Sequence, residues 1–223
     1  MSFVGFGGSL ARMTGVYRVG NRQPAENVPL PPEFIYQDMW DTEGGVHYDL
    51  EEVTEFEDLK DRVVIDWGKG ALAWHQWLKN KEVVEILPTG YTKKFTGYLD
   101  FVLTYDELVK IVKNPIANRE WHAMLSSVAG VYLILDETTG KQYVGSAYGR
   151  EGILGRWSHY ASSGHGGNLL LRDAINNSRY GAKSFRFTIL QTLPKTQTKN
   201  EVLAQEILFK KKLGSRAFGL NMN

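Results

Sequence analysis

The chain has 223 residues, 43% of them hydrophobic and 12% aromatic, which is enough apolar mass for one large domain or two small ones and excludes a disordered polymer. It contains no cysteine, which excludes disulfides, thiolate zinc sites and cysteine nucleophiles and fits a reducing compartment, so the cytoplasm is the expected location. The formal charge of +1 hides an uneven distribution: residues 1–120 carry 13 Lys/Arg against 19 Asp/Glu, residues 121–223 carry 13 against 6, and only the second half has the basic surplus that binding a polyanion rewards.

No uncharged apolar run approaches the roughly 18 residues that a membrane span needs, so no membrane partner is expected. Residues 1–32, rich in Gly and Pro and ending in "PAENVPLPP", read as a loosely ordered arm. In residues 33–120, "RVVIDW" reads as a strand, "ALAWHQWLKN" as a short helix, and "KEVVEILP" and "FTGYLDFVL" as strands. "TYDELVKIVKN" begins with a capping box from Thr104 to Glu107 and continues as a helix. "NPIANREWHAMLSSV" bridges to the second half, placing a domain boundary near residues 115–125.

The pattern in residues 121–223 is regular. "AGVYLILD" and "KQYVGSA" are strands joined by the turn "ETTG", an antiparallel hairpin. "GILGRWSHYASS" is a helix with Leu154, Trp157 and Ala161 on its apolar stripe, and after the loop "GHGG" comes a second helix, "NLLLRDAINNS". "SFRFTILQTL" alternates as a strand, and "TKNEVLAQEILFKKKLG" opens with a capping box from Thr198 to Glu201, runs as a helix and stops at Gly214. The order ββααβα describes an α+β domain of about 100 residues, preceded by a separate mixed α/β domain.

Three features carry chemistry. Tyr132 and Tyr143 stand beside glycines on the two hairpin strands, where tyrosines also serve as ordinary cross-strand packing. Arg156 and Tyr160, four apart, share one helical face beside the apolar stripe, a place where a polar pair is commonly just solvated. Glu206 lies between Val202 and Phe209 on an inward face, where a carboxylate is costly to bury without a cation or metal beside it.

Together these residues resemble the GIY-YIG nuclease family. The two name-giving motifs stand here as "GVY" (130–132) and "YVG" (143–145), followed in order by Arg156 and Tyr160 in "GRWSHY", Glu206 in "AQEILFKKK" and Asn221 in "FGLN". The likeness covers about 95 residues. Val replaces Ile in both motifs, a change compatible in volume with a core position, and Tyr160 stands where some members have histidine, with His159 next to it.

The resemblance implies a hairpin, helices, third strand and C-terminal helix that hydrolyse phosphodiesters of double-stranded DNA with one divalent metal, Mg²⁺ or Mn²⁺. Glu206 would be its ligand, Arg156 would hold phosphate, and Tyr132 would be the general base, a task that Tyr143 or Tyr160 could share. Asn221 would orient a phosphate or Glu206, and Lys210, Lys211 and Lys212 would extend the phosphate-binding surface or simply be a solvated helix end.

His159, His165 and Asn168 are also expected on the DNA side. "GHGGN" is either a loop whose amides face phosphate or a plain turn; the histidines have no zinc spacing, and "WGKGA" is a packing turn.

Specificity is expected from the N-terminal half, where Trp67, Trp74, Trp77, Tyr91, Tyr98, Arg18 and Arg22 could reach DNA or could simply be core. A bacterial or phage-related restriction-type enzyme is the leading expectation. A repair or mobile-element nuclease and a silent DNA-binding module are the alternatives, with a homodimer and a protein partner of the acidic half as further expected partners.

Overall fold

In the computed structural model, which describes residues 1–29, 45–70, 75–77 and 79–222, the start of the chain is strand and not a loosely ordered arm. β1 (Ser2–Gly7) and β2 (Leu10–Gly15) pair antiparallel, and β3 (Tyr17–Pro24) pairs with β4 (Val46–Glu52) as a separate ribbon. β5 (Val63–Asp66) and β6 (Val83–Ile86) complete a four-stranded sheet in the order β1-β2-β5-β6. The strand signal lies in β2, where Ala11 and Met13 are buried and the residues between them are not, the two-residue period of a half-covered sheet. Half of the expected helix at 71–80 lies outside the described residues, and residues 75–77 and 79–80 within it are not helical.

The chain divides into two compact units, Met1–Pro88 and Thr89–Asn223, earlier than the expected boundary near 115–125. Among the described residues, no helix is long and apolar enough to cross a membrane.

In the second unit, the expected strand "FTGYLDFVL" shrinks to β7 (Leu103–Thr104). Phe95 and Phe101 pack edge-to-face with Trp121, with ring centroids 5.0 and 4.8 Å away, and Gly97 at φ +135° turns the segment, so residues 95–101 serve the core and not a ladder. Thr104 Oγ1 accepts from the Glu107 N–H at 3.1 Å, and Glu107 Oε2 accepts from the Thr104 N–H at 2.8 Å. That is the expected capping box, and it starts α1 (Tyr105–Lys113). The bridging segment forms α2 (Arg119–Ser127).

β8 (Ala129–Asp136) and β9 (Gln142–Ala147) make the expected hairpin, followed by α3 (Gly152–Ser163), α4 (Leu169–Asn177), β10 (Phe185–Leu193) and α5 (Lys199–Leu213). The second capping box, Thr198 with Glu201, starts α5, and Gly214 at φ 62° ends it. The sheet runs β7-β10-β8-β9, and all of its pairs are antiparallel.

Alternate residues of β8 face opposite sides of this sheet. Tyr132 and Ile134 enter the main core with Trp121, Trp157, Phe185 and Phe187, whereas Ala129 packs with Leu193 and with Val202 of α5 in a smaller cluster. The sheet therefore has apolar cover on both faces. α3 and α5 are held against β8 and β9, and this fixes the positions of the residues described next.

Candidate active site

β9 is an edge strand, so side chains from both of its faces can reach one space. Tyr143 pairs across the hairpin with Ile134, and Gly145 pairs with Tyr132, which puts Tyr143 on the Tyr132 face; Ser146, out of phase by one, stands on the other. Tyr143 and Ser146 nonetheless line the same cavity of about 470 Å³, together with Tyr132, Arg156, His159 and Glu206.

The glycines of the two motifs make room for this arrangement. A Cβ on Gly145 would stand 2.4 Å from the Tyr132 hydroxyl, so only glycine lets the Tyr132 ring lie across β9. A Cβ on Gly130 would stand 2.4 Å from the Gln191 carbonyl, beside the irregularity between Ile189 and Gln191 in the β8–β10 ladder.

Tyr132 and Tyr160 are fully buried, so Tyr160 is not merely solvated, as a polar residue on the shoulder of a helix commonly is. Their hydroxyls lie 3.0 Å apart. Arg156 bridges them: Nε donates to Tyr132 at 3.2 Å, one terminal nitrogen donates to Tyr160 at 3.2 Å, and the other donates to the Gly166 carbonyl at 3.0 Å. The guanidinium also sits 4.9 Å from the centre of the Tyr160 ring.

Burial pushes the Tyr132 phenol well above the ordinary tyrosine range, with Tyr143 adding to the rise, while Arg156 and the hydrogen bonds from Tyr160 and Arg156 pull the other way and do not win. Tyr160 is raised for the same first reason. Both tyrosines are therefore neutral phenols at pH 7. The guanidinium stays charged, because its tyrosine neighbours raise it more than burial lowers it.

Glu206 reaches the cavity from α5. One carboxylate oxygen is 2.7 Å from Lys210 Nζ, and the other accepts from the Ser146 hydroxyl on β9. The Lys210 side chain is only 5% exposed and that of Glu206 14%. Lys210 is thus not part of a phosphate-binding surface; Lys211 and Lys212 are exposed, and the Lys212 ammonium lies 5.2 Å from the centre of the Phe209 ring. Val202, Glu206 and Lys210 follow one another at intervals of four along the inner face of α5, a spacing that could have separated Lys210 from its neighbours.

Among the described residues, no group of three or more His, Asp or Glu side chains could hold a metal ion. Glu206 offers a single carboxylate with a lone pair left on each oxygen. That suits a hard cation keeping most of its ligands as water or phosphate oxygen, and does not suit zinc.

Other expected site residues have structural duties. The Asn221 side chain accepts from the Val144 N–H at 2.9 Å and donates to the Val144 carbonyl at 2.8 Å, so its amide pins the C-terminal segment along the edge of β9 and not a phosphate. Asn168 caps α4, accepting from the Leu171 N–H at 2.9 Å. In the "GHGG" loop the Gly166 N–H donates to Ser163 and the Gly167 N–H to His165, so these amides already have partners within the loop.

His159 stays exposed at the cavity wall, and His165 is partly buried in the loop. Of the aromatic residues considered for DNA contact, Tyr91 and Tyr98 belong to the second unit, and Tyr98 packs on Phe95 and donates to the Met124 carbonyl. Trp67 packs against Phe3 and Lys81, Arg18 pairs with Glu51, Trp77 is exposed, and Trp74 lies outside the described residues.

No family model and no curated protein matches this chain. Two solved structures of the catalytic domain of the homing endonuclease I-TevI, one of them a point mutant described as an intron endonuclease, are similar to it. Each is 26% identical; the likeness covers 43% of this chain and 94% and 98% of theirs, with TM-scores of 0.35 and 0.34.

Proposed function

We propose that this protein is a GIY-YIG-type nuclease that hydrolyses phosphodiester bonds of double-stranded DNA with a divalent cation, Mg²⁺ or Mn²⁺, held by Glu206. The observation that carries this reading is the convergence of Tyr132, Tyr143, Arg156 and Glu206, from two strands and two helices, on one cavity in the basic unit. Residues 89–223 carry 18 Lys/Arg against 10 Asp/Glu, whereas residues 1–88 carry 8 against 15, so phosphate is drawn to the unit that holds the cavity.

Three of the five N–H donors of Arg156 are spent on Tyr132, Tyr160 and Gly166, which fixes the plane of the guanidinium. The two that remain are oriented in advance for a phosphate oxygen whose charge grows in the transition state. Tyr132 acts as the base in its phenolate form: its own proton is first released to solvent, and the phenolate oxygen then takes a proton from the water as that water's oxygen attacks phosphorus and the bond to the departing oxygen breaks. Burial opposes that loss, and the donors Arg156 and Tyr160 assist it.

Tyr143, half-buried at the cavity wall, positions the water. Glu206 holds the cation, with Ser146 fixing its second oxygen. A bound cation of this kind supplies Lewis-acid stabilisation of negative charge on the departing oxygen. That the N-terminal half is a compact unit with strands of its own supports a restriction-type division of labour in which that unit selects the target, while its acidic charge argues against simple wrapping of DNA and favours a protein partner.

The test is incubation of purified protein with supercoiled plasmid. Conversion to open-circular or linear DNA is expected with Mg²⁺ or Mn²⁺, and none after EDTA. Cleavage that persists in EDTA overturns the metal assignment, and intact plasmid under every metal condition overturns the nuclease reading.

A further inference from the structure

The Glu206 carboxylate already has a cation. Lys210, one turn further along α5, places its ammonium 2.7 Å from the carboxylate while being almost wholly buried, and Ser146 holds the other oxygen from the edge strand. Lys211 and Lys212, next in sequence, are exposed, so helix geometry alone turns one lysine of the run inward. A buried ammonium is costly unless its charge is met, and here the carboxylate meets it.

We infer that Lys210 is a positioning residue for Glu206: a resident counter-ion that keeps the carboxylate aimed into the cavity before any divalent cation arrives, and that lowers the affinity for that cation by competing for the same carboxylate oxygens. The inference rests on the proposed metal role of Glu206. Two cations on one carboxylate repel each other strongly in a partly dry site. The basic helix end therefore has two parts, an inner lysine that tunes the carboxylate and outer lysines open to solvent.

The test titrates the full chain with Mn²⁺ in the absence of DNA, following free Mn²⁺ by electron paramagnetic resonance, with thermal melting in parallel. Lys210→Met keeps the length of the side chain and removes its charge. It is expected to bind Mn²⁺ on the order of tenfold more tightly than wild type, to melt lower without metal, and to gain more from Mn²⁺. Lys210→Arg, which keeps the charge, is expected to bind like wild type.

If Lys210→Met does not fold, as judged by circular dichroism, Lys210→Gln carries the same expectation. Binding that is lost in Glu206→Gln but unchanged or weaker in Lys210→Met overturns the counter-ion role and leaves the metal role of Glu206 standing. Binding that does not depend on Glu206 in any variant overturns both.

Discussion

Replacing Tyr132 by phenylalanine is expected to slow DNA cleavage by ~10²–10⁴, the usual worth of a general base. The ring keeps its place against Trp157 and Tyr160, so the core packing survives. The hydroxyl, however, is fully buried and joined to both Tyr160 and Arg156, so its loss also costs about 1–3 kcal/mol of stability. A tyrosine at a hairpin end reads from sequence as replaceable by phenylalanine at no cost in melting temperature; its burial among polar partners changes that expectation.

The pH dependence follows from the raised phenol. A base acts in its deprotonated form, and below its pKa that form grows about tenfold per pH unit, so wild-type cleavage should climb steadily from pH 7 to 9 with no plateau near neutrality. Single-turnover rates across that range check both points. A Tyr132→Phe protein that cuts at the wild-type rate returns this tyrosine to packing alone.

Glu206→Gln is expected to abolish cleavage and, unlike the substitution of an exposed ligand, to lower stability by roughly 3–5 kcal/mol, because the Lys210 ammonium is left buried beside a neutral amide. Adding Lys210→Met to Glu206→Gln removes the stranded charge and should recover most of the melting temperature with no recovery of cleavage. Chemical denaturation of the single and double variants measures this directly. A single variant as stable as wild type would show that the pair is neither desolvated nor strained by the loss of its anion.

The second unit was largely legible because its signals are local. Capping boxes at Thr104 and Thr198 and the stop at Gly214 set helix ends through hydrogen bonds within four residues, and the hairpin follows from strand alternation around a short polar turn. The inward position of Glu206 was legible for the same reason, as a helical spacing.

What escaped the sequence depends on partners far along the chain. Asn221 is polar, near the C-terminus and in the right order for a site residue, yet it spends its amide on Val144, 77 residues earlier. Lys210 is one of three consecutive lysines, and only the pairing with Glu206, with Ser146 fixing the carboxylate across 60 residues, separates it from the others. Residues 2–24 hid their strands because five glycines interrupt the apolar residues and break the alternation, while pairing with β5 and β4 supplies order that local propensity does not.

If Arg156 organises a phosphodiester-cleaving cavity, wild type and Arg156→Lys must differ on supercoiled plasmid in Mg²⁺ with enzyme in excess, and no other comparison reads its role as directly. Lysine keeps the positive charge but cannot span Tyr132, Tyr160 and the Gly166 carbonyl while offering a flat pair of donors to phosphate. The expected result is cutting by wild type and cutting at least ~10² slower by a folded Arg156→Lys protein that still binds the plasmid. Equal rates for the two proteins would take that role from Arg156, and a wild type that leaves the plasmid intact in both Mg²⁺ and Mn²⁺ would show that the cavity does not cleave DNA.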